Sequence, residues 1–282
     1  MIDGRTQLVG TLGWPVEQSL SPIMHNAAFS ALLLDWSYVP FPVRSGQIED
    51  TISGLVALGF RGANVTIPYK EAVIPFLHRL SPEARGIGAV NTIVIEKDGI
   101  LVGHNTDSSG IITTLQHGGF DPKERSAVVC GAGGAVRAAV HGLLAAGTKR
   151  ITLLNRTLAR AEKLICAFVD ERLKAGRLSP ETLMEAAGDA DLLINATSVG
   201  MWPHVDESIW PSDALIPARL TVFDLMYNPV ETLLLKRTRS GGARAISGLE
   251  TPFNREPQHS RSGTGENVPI GAMRTSLKEG VS

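Results

Sequence analysis

Two residues of this chain are of the kind that move a proton at a reacting hydroxyl. Lys70 closes the run Asn64-Val65-Thr66-Ile67-Pro68-Tyr69-Lys70, and Asp107 closes Gly103-His104-Asn105-Thr106-Asp107. Either alone is an ordinary surface charge. Oxidation of a secondary alcohol removes the hydroxyl proton as hydride leaves, and a lysine and a carboxylate converging on that hydroxyl supply the proton path and its electrostatic support. Closely coupled groups titrate together, so the pair is assigned rather than a single base. Two further polar strings suit a carboxylated, hydroxylated small molecule. In Ser19-Leu20-Ser21-Pro22-Ile23-Met24-His25-Asn26, Pro22 fits the first position of a helix with Ser21 as its cap. Two hydroxyls and free amides there would receive a carboxylate. The other string is Ala89-Val90-Asn91-Thr92.

A second kind of chemistry is written in Val128-Val129-Cys130-Gly131-Ala132-Gly133-Gly134-Ala135. Glycines keep such a turn tight and let the backbone approach a pyrophosphate, whose charge is met by amides at the following helix N-terminus. The match to the dinucleotide fingerprint is imperfect, because Val136 stands where Gly or Ala is usual. The next apolar run ends in Asn155-Arg156-Thr157, where a site for NAD would carry an acidic residue for the ribose hydroxyls. Arg156 instead suits a 2′-phosphate. Arg160, four residues on, falls on the same face of a helix beginning there, so two guanidiniums bracket that phosphate. The cofactor read from these residues is NADP.

The elements that must hold these residues form an α/β alternation. Short apolar runs at 8–12, 38–43, 63–67 and 92–95 alternate with helical patterns at 23–34 and 48–58. From residue 126 a second series begins: strand 127–130, helix 136–146 closed by Gly147, strand 150–154, helix 158–173, strands 191–195 and 220–225, and a helix near 230–238. The expected fold class is α/β in two domains with a cleft between them. The first, 1–107, is a substrate-binding domain with a mostly parallel sheet; the second, 108–247, is a Rossmann-type NADP-binding domain, and residues 248–282 pack back on the first. At 282 residues, 43% hydrophobic and 20% charged, the chain has the material for two cores. Its 27 Lys and Arg against 28 Asp and Glu give no field for nucleic acid. Two cysteines, no apolar run of membrane-spanning length and no signal-peptide core lead to an expected cytoplasmic protein, monomer or homodimer, acting on a small molecule.

The serine string, Asn64 to Lys70, Gly88-Ala89-Val90-Asn91-Thr92, Asn105 to Gly110, the glycine-rich turn, Asn195-Ala196-Thr197-Ser198-Val199-Gly200-Met201 and Asp224-Leu225-Met226-Tyr227-Asn228-Pro229 together resemble the shikimate dehydrogenases in order and spacing. The resemblance implies NADP-dependent reduction of 3-dehydroshikimate to shikimate, on the route to chorismate and the aromatic amino acids. It implies that Ser19 and Ser21 hold the substrate carboxylate, that Thr66, Asn91 and Tyr227 complete the pocket, and that Lys70 and Asp107 flank the reacting hydroxyl. Gly131, Ala132, Gly133, Gly134 and Ala135 would cradle the pyrophosphate, Asn155, Arg156, Thr157 and Arg160 would read the 2′-phosphate, and Gly248 would lie near the nicotinamide. No metal is implied, and the seven histidines show no ligand spacing. A family member that also accepts quinate and a catalytically silent NADP-binding homologue are the competing readings; Arg156 weighs against the first, and Lys70 with Asp107 against the second.

One stretch departs from the family pattern. After Gly248-Leu249-Glu250 the family carries an amphipathic helix with a substrate-binding glutamine, whereas residues 251–263 contain two prolines and almost no aliphatic side chains. Thr264-Gly265 and Ala272-Met273-Arg274 then resume the pattern in register. Compensating frameshifts account for this: read one base early, permissible codons for 252–263 spell Ala-Leu-Gln-Gln-Gly-Ala-Ala-Ala-Phe-Glu-Val-Trp, with a glutamine at the position of Arg255. A divergent natural loop is the alternative. Either way the chain as it stands is expected to bind substrate more weakly and to be less stable than one with the helix.

Overall fold

A computed structural model describes residues 2–17, 19–226, 228–254 and 269–280. The chain divides into two compact units, Met1–Thr106 with Glu256–Ser282, and Asp107–Arg255.

In the first unit, β1 (Gln7–Gly13), β2 (Trp36–Pro42), β3 (Gly62–Val65), β4 (Arg79–Leu80), β5 (Thr92–Ile95) and β6 (Leu101–His104) form one sheet in the order β2-β1-β3-β5-β6-β4. Only β5 runs against its neighbours; the β1–β2, β1–β3 and β4–β6 pairs are parallel. Helix α1 (Ser21–Ala31) joins β1 to β2, α2 (Ile48–Ala57) joins β2 to β3, and α3 (Pro82–Ile87) precedes β5. Ile48, Ile52 and Leu55 recur at one-turn spacing on α2 and are buried, packing into a core with Leu12, Val65 and Ile93. Helix α3 has clear stop and start signals: Ser81 accepts the Ala84 amide as N-cap, Pro82 opens the helix, and Gly88 leaves it at φ 69°.

The second unit holds α4 (Asp107–His117), β7 (Ser126–Cys130), α5 (Gly134–Ala145), β8 (Arg150–Asn155), α6 (Leu158–Phe168), β9 (Leu173–Arg177), α7 (Pro180–Gly188), β10 (Leu192–Asn195), β11 (Thr221–Asp224), α8 (Leu233–Ser240) and β12 (Arg244–Ser247). Its sheet is parallel throughout, in the order β12-β11-β10-β7-β8-β9. This is the doubly wound order, with its switch point between β7 and β10. Helices cover both faces of such a sheet, so its strands read as unbroken apolar runs; Val128, Val129, Leu192, Leu193, Ile194, Val222 and Phe223 are all buried. A last helix, α9 (Ile270–Gly280), packs on α1 within the first unit.

The structure corrects several sequence-based expectations. The helix expected over 158–173 ends at Phe168, where Val169 turns left-handed at φ 47°, and Leu173–Arg177 is an edge strand. Apolar residues continue past the helix end, but Arg172 pins the turn through Asp170 and the carbonyls of Leu144 and Thr148. The helix expected near 230–238 starts at Leu233, where Thr232 caps it by accepting the Leu235 amide. The two units divide between Thr106 and Asp107 rather than after 107, and Asp107 is the first residue of α4. Residues 248–254 group with the second unit instead of the returning tail: Gly248 lies against the Leu225 backbone, Phe253 is buried, and Asn254 donates to Thr114 Oγ1 at 3.1 Å. Residues 255–263 of the departing stretch lie outside the described residues.

Candidate active site

The candidate substrate residues of the first unit gather at one edge of its sheet. Ser19 follows the C-terminal end of β1, Thr66 and Lys70 follow β3, and Asn105-Thr106 follow β6. Because β5 runs the other way, Asn91, just before its first residue, reaches the same edge. This is the edge at which α/β sheets bind ligands. The Val65 amide donates to Asn91 O at 2.8 Å and the Val90 amide to Lys70 O at 2.7 Å, so the Thr66–Lys70 loop and Asn91 form one hydrogen-bonded assembly. The Asn91 side chain is almost fully buried, donating from Nδ2 to Thr106 Oγ1 at 3.0 Å and accepting at Oδ1 from the Thr106 amide and Thr92 Oγ1, each at 3.0 Å. Asn64, half-buried beside it, accepts from Tyr38 Oη at 2.8 Å and donates to Thr92 Oγ1. Thr66 lies where Gly13 leaves room: a Cβ at Gly13 would stand 2.3 Å from Thr66 Cγ2.

Ser21 is not the helix cap. Helix α1 begins at Ser21, the cap position is Leu20 in right-handed helical conformation, and no side chain caps the end. A capping side chain needs its residue in the extended region, which Leu20 does not adopt. Ser19 Oγ accepts the Ser21 amide at 3.3 Å instead, and Pro22 sits in the first turn as the sequence predicts. Tyr227 lies outside the described residues.

In the second unit the glycine-rich turn joins β7 to α5 at the C-terminal edge of the sheet. Gly131 has φ 120° and donates its amide to Leu154 O at 2.8 Å; a Cβ there would stand 2.8 Å from the Ala196 carbonyl oxygen. Nothing lies within 4 Å of where a Cβ on Gly133 would be, and Gly133 is the N-cap of α5, so free amides of that helix open onto unfilled space. Val136, the residue that breaks the fingerprint, is fully buried. Asn155 ends β8 and donates from Nδ2 to Thr157 O at 2.9 Å, while Arg156, Thr157 and Arg160 are exposed. Asp107, buried at 4% exposure, opens α4, which packs on α5 with Ser108 Oγ 3.2 Å from His141 Nδ1. Gly248 follows β12 at the same edge, where a Cβ would come within 2.5 Å of Leu225 O.

A polar knot of residues to which the sequence gave no individual role supports this edge. Asn195, the last residue of β10, donates to Asp224 Oδ1 at 3.0 Å, and its own Oδ1 accepts from the amide and hydroxyl of Thr197 at 3.1 and 2.8 Å. Asp224 also accepts from Thr232 Oγ1 at 2.6 Å and from the Met226 amide at 3.2 Å. Burial pushes the Asp224 carboxyl up to about 6, against the lowering effect of these three donors. The sequence signals were a carboxylate ending an apolar strand and the family-like motifs that open at Asn195 and Asp224. Burial likewise pushes the Cys130 thiol up to about 12. Among the described residues no group of three or more His, Cys, Asp or Glu is placed to hold a metal ion.

Two α/β units, one with the strand order and glycine-rich turn of a dinucleotide-binding sheet, define the class. The model of the shikimate dehydrogenase substrate binding domain matches residues 11–93, and that of shikimate / quinate 5-dehydrogenase matches 115–206. Shikimate dehydrogenase (NADP(+)) of Moorella thermoacetica is 45% identical over 281 residues, covering 99% of this chain and 95% of that one. Among solved structures, shikimate 5-dehydrogenase of Thermus thermophilus in complex with NADP(H) and shikimate aligns at TM-score 0.84 and 35% identity, covering 97% and 99% of the two chains. Quinate dehydrogenase of Corynebacterium glutamicum in complex with NAD aligns at 0.86 and 30%, covering 97% and 99%. The chain belongs to the shikimate dehydrogenase family.

Proposed function

We infer that the chain is an NADP-dependent oxidoreductase acting on a CH–OH group, interconverting 3-dehydroshikimate and shikimate on the route to chorismate. The observation that carries this reading is the full-length likeness to NADP-dependent shikimate dehydrogenase, which runs through both units. The unit Met1–Thr106 with Glu256–Ser282 acts as the substrate domain and the unit Asp107–Arg255 as the cofactor domain. Ser19 and Ser21 receive the substrate carboxylate; Thr66, Asn91 and Tyr227 complete the pocket; Lys70 and Asp107 move the proton at the reacting hydroxyl. The hydrogen-bonded assembly of Asn91, Thr106 and the Thr66–Lys70 loop supports this assignment, because it fixes these groups before substrate arrives. Bound NADP supplies the hydride chemistry. Gly131 to Ala135 would hold its pyrophosphate, Asn155, Arg156, Thr157 and Arg160 its 2′-phosphate, and Gly248 would lie by the nicotinamide; the open space at Gly133 and the exposed guanidiniums fit that group.

The same reading makes the protein a cytoplasmic monomer or homodimer that works on small molecules. Among the described residues no helix is long and apolar enough to cross a membrane. The test is formation of the reduced nicotinamide, NADPH or NADH, by this chain with shikimate against quinate and with NADP against NAD. Turnover on shikimate with NADP is the expected result. A folded protein that binds NADP and turns over neither alcohol overturns it, and a preference for quinate with NAD moves the chain to the quinate branch.

A further inference from the structure

Arg177 is the last residue of β9, and it is the register partner of Asn155, the last residue of β8. Partners on adjacent parallel strands lie roughly 5 Å apart and project to the same face of the sheet. The main chain at Arg177 is tied on both sides: the Leu178 amide donates to Asn155 O at 3.0 Å, and Thr182 Oγ1 donates to Arg177 O at 2.6 Å. Helix α7 begins just beyond, with Ser179 and Thr182 forming a reciprocal capping box. The base of the Arg177 side chain is therefore held rigidly beside Asn155.

Three exposed arginines, Arg156, Arg160 and Arg177, stand at the C-terminal ends of β8 and β9 and the first turn of α6, which packs on both strands. Among the described residues none of the three has a carboxylate in ion-pair range. The acidic residue nearest Arg177 in sequence, Glu181, is engaged by Ser179 Oγ at 2.7 Å, and Glu162, two residues beyond Arg160, makes no ion pair with any of the three among the described residues. Three like charges with no ion-paired carboxylate at one corner of a sheet repel one another, and the arrangement is stabilised once a dianion with several acceptor oxygens enters. A phosphate monoester has that charge and those oxygens.

We propose that Arg177 is a third guanidinium of the 2′-phosphate site, and that it sets the preference of this chain for NADP over NAD together with Arg156 and Arg160. The proposal rests on the cofactor reading given above, since only that reading brings the adenosine ribose to Asn155. Sequence alone did not reach it, because Arg177 lies in an edge strand whose polar pattern hid the strand itself.

The experiment measures dissociation constants of NADP and NAD for the full chain and for its Arg177→Ala, Arg177→Lys and Arg156→Ala forms, with a thermal unfolding curve for each. Adenosine 2′,5′-bisphosphate serves as a competing probe of the adenosine phosphate half of the site without the nicotinamide. Arg177→Ala is expected to weaken NADP and the bisphosphate by about tenfold while NAD stays within about twofold, with Arg177→Lys in between. Unchanged NADP binding in Arg177→Ala, or an equal loss for NAD, overturns the proposal. If Arg156→Ala lowers NADP affinity and Arg177→Ala does not, the cofactor site stands and Arg177 is outside it. If the parent chain has no preference for NADP, or Arg156→Ala leaves the preference intact, the cofactor reading falls and this proposal with it.

Discussion

Asn195 Nδ2 donates to Asp224 Oδ1 at 3.0 Å, joining the last residues of two adjacent strands through a carboxylate that is fully buried. The bond fixes the loop that carries Thr197 and, through Thr232 Oγ1 on Oδ2, the start of α8. Burying a charge costs more than burying the neutral acid, which is why the Asp224 pKa rises from 3.8 to about 6 in the fold.

The sign of the resulting pH dependence follows. Between about 4 and 6 the unfolded chain has released the Asp224 proton and the folded chain still holds it, so the stabilisation is complete below pH 4 and is lost as pH rises through 6. The full span is about 3 kcal/mol. Asp224→Asn removes this slope, so the difference in unfolding free energy between parent and variant, measured by urea denaturation, should change with pH over this window and level off above it. A constant difference would remove Asp224 as the titrating group.

Lys70→Ala and Asp107→Asn should each lower kcat by at least about a hundredfold, the scale of lost proton-transfer catalysis. NADP affinity should stay near that of the parent, since neither residue is assigned to the cofactor. Steady-state rates with shikimate, alongside NADP titration of the same samples, check both statements.

Gly131→Ala places a methyl group 2.8 Å from the Ala196 carbonyl oxygen at a φ of 120°. A side chain at that backbone conformation is strained, with a cost of about 1–3 kcal/mol. The variant should unfold at lower urea concentration and bind NADP more weakly. Gly133→Ala, with open space around its Cβ, should cost far less stability.

Thiol titration separates the two cysteines. Cys166 is exposed and Cys130 is buried with its pKa pushed up to about 12, so the native chain should react at one thiol and the denatured chain at two.

Replacing residues 252–263 by Ala-Leu-Gln-Gln-Gly-Ala-Ala-Ala-Phe-Glu-Val-Trp should lower the KM for shikimate severalfold and raise the melting temperature. A parent chain whose KM and melting temperature match those of the replaced form would show that the divergent stretch does the same work.

The central apolar strands of the second unit were plain in the sequence because a parallel sheet covered on both faces leaves no polar alternation, as Leu192 to Asn195 show. The edge strands were not: Leu173–Arg177 and Arg244–Ser247 carry charges and too few apolar residues to distinguish them from loop or helix end. Helices α3 and α7 were legible but unread, since each begins with serine followed by proline and an acidic residue. For the candidate site, residue types and spacing singled out Lys70, Asn91 and Arg156 as candidates. They gave no role to Asp224 and did not single out Arg177, because a buried carboxylate and a register pairing exist only once strands are side by side.

The strand order β12-β11-β10-β7-β8-β9 also bears on how the chain assembles during synthesis. The first strand made, β7, ends at the centre of the sheet, and one of its neighbours arrives much later: the Ser126 amide meets Asp191 across 65 residues of chain. Until that second neighbour emerges from the ribosome, the apolar edge of β7 is open beside an otherwise complete β7-β8-β9 half. Such unpaired edges are where nascent chains associate wrongly. A pause in translation before residue 195 would therefore lengthen the exposure of the strand on which the cofactor turn is built.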